Sequence, residues 1–330
     1  MRDVFKILVR SLTEGQPACL VSLLSSSGST PRGTGALMAV LPDGSIAGTI
    51  GGGNVEFEAQ KLAAEVLRTG EDAVREYRFV QGNDRSLGMV CGGDVTVGFQ
   101  YLSSGKDAVV SVFRSLLDAD AQGKNAWLLR QIDGPQVTEM RAVTDGDAVD
   151  SQLSPLLRDL PVWAQDDSHW FSIPAVQAGW VHIFGAGHVS RALAAALHPL
   201  GFRCAVYDDR SEFADAAYFP TAKRVETCDF NRLQVTISPA DYVVVMTRGH
   251  EADYEVLSQT LRSGARYLGC IGSSKKLALC KARLLNAGFT EAEYAPLHAP
   301  IGLSIGAQTP EEIAVSVAAE LIAVRAGARS

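Results

Sequence analysis

The stretch Trp180-Val181-His182-Ile183-Phe184-Gly185-Ala186-Gly187-His188-Val189-Ser190 decides the fold of the C-terminal part of the chain. Its first five residues read as a buried strand, and a helix is expected over residues 188–200, stopped by Gly201. Gly185 permits the tight turn between them, and Gly187 lets backbone approach a phosphate resting on the helix N-terminus. Ser190 stands where this fingerprint has its third glycine, and it is small enough for close helix–strand contact. Asp208 lies 21 positions past Gly187, at the end of a second expected strand. A carboxylate there can accept hydrogen bonds from ribose hydroxyls and would repel a 2′-phosphate, which favours NAD-like over NADP-like ligands. Arg210 softens that preference.

Working outward, strands are expected over residues 222–227, 241–246 and 265–271, and helices over 252–262 and 275–286. Thr309-Pro310-Glu311-Glu312 carries a cap, a first-turn proline and a capping box, so a last helix begins there. Its stripe Ile313, Val317, Leu321 and Val324 should pack on a sheet. Alternation of strands and helices predicts an α/β domain, a Rossmann-type doubly wound parallel sheet covered on both faces. Three segments then end at the carboxyl edge of that sheet: the glycine turn, Thr247-Arg248-Gly249-His250 and Gly272-Ser273-Ser274-Lys275. Arg248, His250, Ser273, Ser274 and Lys275 are candidates to converge there on one anionic ligand. Taken singly, His250 and Lys275 are equally well read as solvated residues at the starts of helices. His188, as a cation in a first turn, would be opposed by the helix dipole, so it is expected to be neutral or partnered.

The pattern changes near residues 175–179, which sets domains of 1–177 and 178–330. Residues 1–14 read as a helix, with Val4, Phe5, Leu8, Val9 and Leu12 at helical spacing. Strands are expected over 18–24, 36–41, 45–49, 75–80, 95–101 and 127–132, and helices over 54–68 and 107–119. Residues 133–178 read as turn-rich, with a short strand candidate at 169–173. This is a mixed α/β (α+β) domain. Three glycine-rich loops punctuate it, at 28–35, 48–53 and 88–93. Any one of them is explained by a tight hairpin turn; three in the first 93 residues also suggest backbone approaching a ligand. Gly51, Gly52 and Gly53, just before a helix, are a candidate anion nest. Arg32 could add a forked donor to phosphate. Glu56 and Glu58, which follow, read as favourable charges in a first helical turn.

Composition excludes several classes. With 47% hydrophobic and 20% charged residues, the 330-residue chain is an ordinary globular sequence of about two domains. Its net charge is −7: 15 basic against 22 acidic residues up to 175, and 15 against 15 beyond. Neither part is basic, which argues against a nucleic-acid clamp. No apolar run suggests a membrane span and no stretch reads as a secretion signal, so a cytoplasmic protein is expected. The six cysteines include no C-x-x-C pair, so neither a structural zinc site nor a disulfide framework is expected. Cys91 alone sits in a glycine loop, between Val90 and Gly92-Gly93, where a thiolate could meet a soft metal centre or exchange sulfur. The other five sit in strand or helix patterns, where buried thiols are ordinary.

These segments together resemble one known family. Gly28-Ser29-Thr30-Pro31-Arg32, Thr49-Ile50-Gly51-Gly52-Gly53-Asn54-Val55-Glu56 and Met89-Val90-Cys91-Gly92-Gly93 resemble the N-terminal domain of the XdhC/CoxI family, the accessory proteins of xanthine dehydrogenase. Phe184-Gly185-Ala186-Gly187-His188-Val189, Thr247-Arg248-Gly249-His250, Ala299-Pro300-Ile301-Gly302-Leu303 and Thr309-Pro310-Glu311-Glu312-Ile313-Ala314 resemble its Rossmann domain, in the same order. Ser190 in place of the third glycine, and Ser304 where relatives often carry an acid, depart from the pattern. The resemblance implies a chaperone that binds molybdenum cofactor (molybdopterin or its dinucleotide form) and protects it during sulfuration. The chaperone then inserts it into an apo-molybdoenzyme of the xanthine dehydrogenase family. It implies a cysteine desulfurase as second partner, a homodimer, and no turnover of its own. Carried onto this chain, Cys91 would lie near the molybdenum or its sulfur, beside Gly92 and Gly93. Arg32 and Gly51–Gly53 would meet the pterin phosphate. Gly185, Gly187, His188, Asp208, Arg248 and His250 would hold a nucleotide, whether NAD or the nucleotide part of the cofactor. Two other readings remain open at this point: an NAD-dependent oxidoreductase using the C-terminal domain, and a nucleotide-sensing regulatory module.

Overall fold

The helix α1 (Arg2–Thr13) buries Val4, Phe5, Leu8 and Leu12 on one face, as their spacing requires. It belongs to the first of two compact units, Met1–Gln177 and Ala178–Ser330. The structure is a computed structural model and describes residues 1–28, 32–79, 93–177 and 179–327. In the first unit α1 is followed by β1 (Ala18–Gly28), β2 (Leu37–Val40), β3 (Ile46–Gly48), α2 (Gly53–Thr69), β4 (Ala73–Phe79) and β5 (Gly93–Leu102). These five strands form an antiparallel sheet in the order β3-β2-β1-β5-β4. Then come α3 (Asp107–Gln122), β6 (Ala126–Asp133), β7 (Gln136–Thr144), β8 (Val162–Trp163) and β9 (Trp170–Val176). The last four strands make a second antiparallel sheet, β7-β6-β9-β8.

Alternation along β1 assigns each face of the first sheet. Cys19, Val21 and Leu23 pack with Met38, Val97 and Phe99 under Val55, Ala59, Ala63 and Val66 of α2. Ala18, Leu20 and Leu24 pack on the other side with α1, with Phe113 and Leu116 of α3, and with Leu128, Phe171 and Ile173 of the second sheet. β1 is therefore buried on both faces, which explains its unbroken apolar start.

The second unit begins with β10 (Trp180–Phe184), α4 (His188–Leu197), β11 (Arg203–Asp208), β12 (Arg224–Thr227), β13 (Tyr242–Val245) and α5 (His250–Thr260). It ends with β14 (Tyr267–Cys270), α6 (Ser274–Asn286), the single turn α7 (Glu291–Tyr294) and α8 (Pro310–Arg325). Its sheet is wholly parallel, ordered β12-β11-β10-β13-β14, so the expected doubly wound arrangement holds. Val317 and Leu321 of α8, with Leu193 and Leu197 of α4, cover Val181, Ile183, Val206 and Val244 of the sheet. α5 and α6 cover the other face through Val256, Leu257, Leu277 and Leu284.

Two readings change. Residues 133–178 contain β7, a nine-residue strand missed in the sequence because it is an edge strand with few buried side chains, its polar residues masking the alternation. The helix after the glycine turn stops at Leu197, three residues short of expectation. The capping box of α8 is formed: Thr309 Oγ1 accepts from the Glu312 amide at 3.2 Å, and the Glu312 carboxylate accepts from the Thr309 amide at 3.0 Å. Thr309→Ala should therefore cost about 1 kcal/mol of stability in urea unfolding; an unchanged midpoint would show that the cap is not used.

Candidate functional site

In the N-terminal unit, strand register decides where the glycine-rich loops emerge. Gly28 at the end of β1 pairs with Gly93 at the start of β5, and Phe79 at the end of β4 pairs with the same Gly93. Gly48 at the end of β3 pairs with Met38 near the start of β2. All three loops thus leave the same end of the sheet, in a staggered row. β1 runs six residues past Ser22, the partner of Leu37 where β2 begins. The returning chain follows that overhang: Gly35 donates to the Leu23 carbonyl at 2.8 Å, and the Thr34 and Ser26 hydroxyls meet at 3.2 Å. Arg32 is exposed on this return. The α-amino group of Met1 is pushed below its ordinary value, mainly by burial and partly by Arg32.

The turn before α2 has three consecutive glycines with φ of 136°, 74° and 64°, a run that only glycine follows without strain. Its amides do converge, but on the chain's own carboxylate. Ile50 and Gly52 each donate to Glu56 Oε2 at 3.0 Å, the Thr49 hydroxyl donates to the same oxygen, and Gly51 donates to Thr49 Oγ1 at 3.0 Å. Burial alone would raise the Glu56 pKa, but the hydroxyl and the amides outweigh it and hold it below the usual carboxylate range. The amides of Gly51 and Gly52, expected to face a ligand phosphate, are thus engaged within the chain, the first by Thr49 Oγ1 and the second by Glu56 Oε2. Glu56 stands four residues past the helix cap Gly52, a spacing from which a carboxylate reaches back.

Cys91 and Gly92 lie outside the described residues; Gly93 opens β5. Cys19, Cys204, Cys270 and Cys280 are buried, and burial raises their pKa values, to about 12 for Cys19 and Cys204 and about 11 for Cys280. Such thiols are protonated at neutral pH and packed as small hydrophobes. Among the described residues, no cluster of three or more histidines, cysteines and carboxylates could hold a metal ion.

In the C-terminal unit the sheet order reverses direction between β10 and β13, so the crevice of this fold lies at their carboxyl ends. Gly185 is required there twice over: its φ is 105°, and a Cβ would fall 2.2 Å from the Met246 carbonyl oxygen. Gly187 and Gly249 cap α4 and α5 without a side-chain bond to either helix, and a Cβ on either would meet nothing within 4 Å. Two helix starts therefore open onto space above adjacent strands, a polarity that suits an anion. His188 and His250 are the exposed first residues of those helices. Ser190 is buried and fills the third-glycine position against Met246, with Oγ 3.8 Å from its sulfur.

Asp208 is not the open ribose acceptor the sequence suggested. It is 1% exposed, and Oδ2 accepts from the Ala186 amide at 2.8 Å and from Arg210 at 3.1 Å. Oδ1 accepts from Arg210 Nε at 2.9 Å and from its amide at 3.1 Å. Burial would raise its pKa, but the Arg210 guanidinium and the two amides hold it low. With Arg210 on it, and with Arg248 3.1 Å from neighbouring Asp209, the local charge is balanced. The argument for excluding a 2′-phosphate therefore loses its ground. Sequence reading also missed Asp253, buried behind Thr247: it takes the Thr247 amide at 3.2 Å and pairs with Lys276, not with the exposed Lys275. Burial raises its pKa, and Lys276 and Thr247 offset that only in part. Ser273 caps α6 and so is spent locally.

Gly185→Ala should cost about 3 kcal/mol or more in urea unfolding, against about 1 kcal/mol for Gly187→Ala; equal losses would contradict the packing described. The depressed pKa of Asp208 fixes a sign. Its stabilisation is complete above the ordinary aspartate value of about 4 and is lost as pH falls through the lower native value. Asp208→Asn should therefore lower the midpoint at pH 7 and shrink the difference from wild type in acid. A pH-independent difference would show that the carboxylate's charge is not what matters.

Similarity to known proteins covers nearly the whole chain. Residues 11–78 match the XdhC and CoxI family, and residues 181–321 match the XdhC Rossmann domain. The uncharacterized protein YqeB of Escherichia coli is 28% identical over 326 residues, which are 98% of this chain but only 46% of that protein. A probable xanthine dehydrogenase subunit of Bacillus subtilis is 26% identical, covering 97% of both chains. The molybdenum cofactor insertion chaperone PaoD of Escherichia coli is 22% identical over 98% of this chain and 88% of that one. The crystal structure of a xanthine dehydrogenase from Bacillus halodurans superposes with a TM-score of 0.79 over 99% of this chain and 96% of that one, at 25% identity. No helix among the described residues is long and apolar enough to cross a membrane. With both halves matched in order, and with a solved structure of the same fold along its whole length, the chain belongs to the XdhC/CoxI family.

Proposed function

We propose that this protein carries molybdenum cofactor to an apo-molybdoenzyme of the xanthine dehydrogenase type and shields it while a cysteine desulfurase supplies the terminal sulfur. The name of PaoD, a molybdenum cofactor insertion chaperone, supports the role. So does the name of the Bacillus subtilis relative, which points to the client class. The observation that carries the reading is the register of the five strands β1 to β5, which brings the loops flanking Gly28, Gly48 and Gly93 to one end of one sheet.

In this reading residues 1–177 hold the metallopterin. Cys91, with Gly92 and Gly93, contacts the molybdenum or its sulfur, and Arg32 supplies a forked donor to the phosphate. Gly51, Gly52 and Gly53 shape the neighbouring wall through Glu56, and Gly53 adds the start of α2. Residues 178–330 hold a nucleotide such as NAD. Gly185 and Gly187 admit its phosphates to the start of α4. His188, Arg248 and His250 flank them, and Asp208 acts by fixing the Ala186 amide and Arg210. Backbone donors and one exchangeable thiol give binding that can be reversed, as a carrier needs. The protein works as a homodimer in the cytoplasm, where thiols stay reduced.

The test is retention. Cofactor released from a molybdoenzyme is mixed with the purified protein, and molybdenum and pterin are measured in the protein fraction after gel filtration. Wild type should retain both, while Cys91→Ala and Arg32→Ala should each retain several-fold less. No retention by wild type overturns the function; full retention by Cys91→Ala removes that residue from the site.

A further inference from the structure

A cavity of about 760 Å³ lies at the end of the five-stranded sheet opposite the glycine-rich loops, where β4 begins and β5 ends. It is walled by Glu71 and Asp72 ahead of β4, Gln100 of β5, Lys106 at the cap of α3, and Thr138 and Glu139 of β7. None of these belongs to the proposed cofactor site.

Gln100 is 7% exposed, and its buried Oε1 has no hydrogen-bond partner. Such an acceptor costs about 1–3 kcal/mol unless something donates to it. The core beside it is under the same tension. Gln100 pairs across the sheet with Leu20, and on the same face Ser22 accepts from Arg130 at 3.0 Å. Arg130 is 1% exposed, its Nε and second terminal nitrogen are unpaired, and burial lowers its pKa to about 10. Asp72 is the carboxylate that opposes this lowering. It is held rigidly, with Oδ1 accepting from the Tyr101 amide at 2.7 Å and Oδ2 from the Val137 amide at 3.1 Å.

The charges around this floor are of two kinds. Glu71 and Asp72 are negative, while Glu139 is matched by Arg141. Lys106 is positive, and it caps a 16-residue helix that has no side-chain cap and whose Ala108 and Val109 also line the cavity. A simple cation would meet Lys106, and a simple anion would meet Glu71 and Asp72. We propose that the cavity binds a small zwitterion of the free amino-acid type. Its ammonium group sits beside Glu71 and Asp72 and donates to Gln100 Oε1 once that buried amide turns out of the wall, and its carboxylate faces Lys106 and the first turn of α3.

Thermal-shift and calorimetric titrations of the full chain test this. The standard L-amino acids are offered in turn at about 10 mM, enough to fill most of a 1 mM site. Putrescine serves as the ammonium-only probe and acetate as the carboxylate-only probe. At least one amino acid should bind, and neither control should. Lys106→Glu, an exposed change, should weaken that binding at least tenfold, and Gln100→Leu should abolish it; if the latter fails to fold, Glu71→Lys should weaken it likewise. Cofactor retention should be the same in Lys106→Glu as in wild type, so failure of this site and failure of the carrier role are separate results. Silence with every amino acid, putrescine or acetate binding as well as the best amino acid, or unchanged affinity in Lys106→Glu, overturns the proposal.

Discussion

The ladder between β1 and β5 governs the N-terminal unit. It runs from Ala18 opposite Leu102 to Gly28 opposite Gly93, with one irregularity between Leu23 and Ser25. A one-residue slip would turn Leu20 and Leu24 towards α2 and Val21 towards α1, so burial on both faces locks the register. Gly98 eases the fit: a Cβ there would fall 2.9 Å from a δ-methyl of Leu24, and that side chain would have to shift. Because the ladder is fixed, its two ends are fixed too. One presents the glycine-rich loops, and the other presents Gln100 and Asp72.

The same logic of internal satisfaction runs through both units. Amide groups that a sequence motif marks as ligand donors are in part already bonded to the chain: Gly52 to Glu56, and Ala186 to Asp208. Each carboxylate stiffens a glycine turn that would otherwise lose much entropy on ordering. What remains exposed is the helix start beyond each turn. A preorganised turn with an open helix terminus binds an anion through geometry and dipole rather than through many charged side chains. That suits the anionic load proposed for this acidic protein.

How far the sequence could be read follows from the physics of each segment. Strand, glycine turn, helix and capping box in the C-terminal unit were legible because each depends on neighbours within a few residues. β1 was legible from its unbroken apolar start, and the stripe of α8 from its helical period. β7 was not, because its side chains are only partly buried and its place is set by pairing with β6. Glu56 was read as a first-turn charge, Asp208 as an open ribose acceptor, and Asp253 was overlooked, since their partners include backbone amides and a lysine that only the folded turn brings near. Gln100 and Arg130 carry no local signal at all. A polar residue in a strand looks solvent-facing until the second sheet and α3 close over it.

The central claim is that the protein holds a metallopterin for delivery, and delivery can be measured. The cofactor-loaded protein is mixed with an apo-molybdoenzyme of the xanthine dehydrogenase type, the two are separated, and molybdenum in each fraction is followed with the activity gained by the enzyme. The account predicts that molybdenum leaves the carrier in step with the enzyme's gain, even when a scavenger destroys cofactor free in solution. Molybdenum that stays with this protein, or activation that vanishes once free cofactor is scavenged, would contradict it.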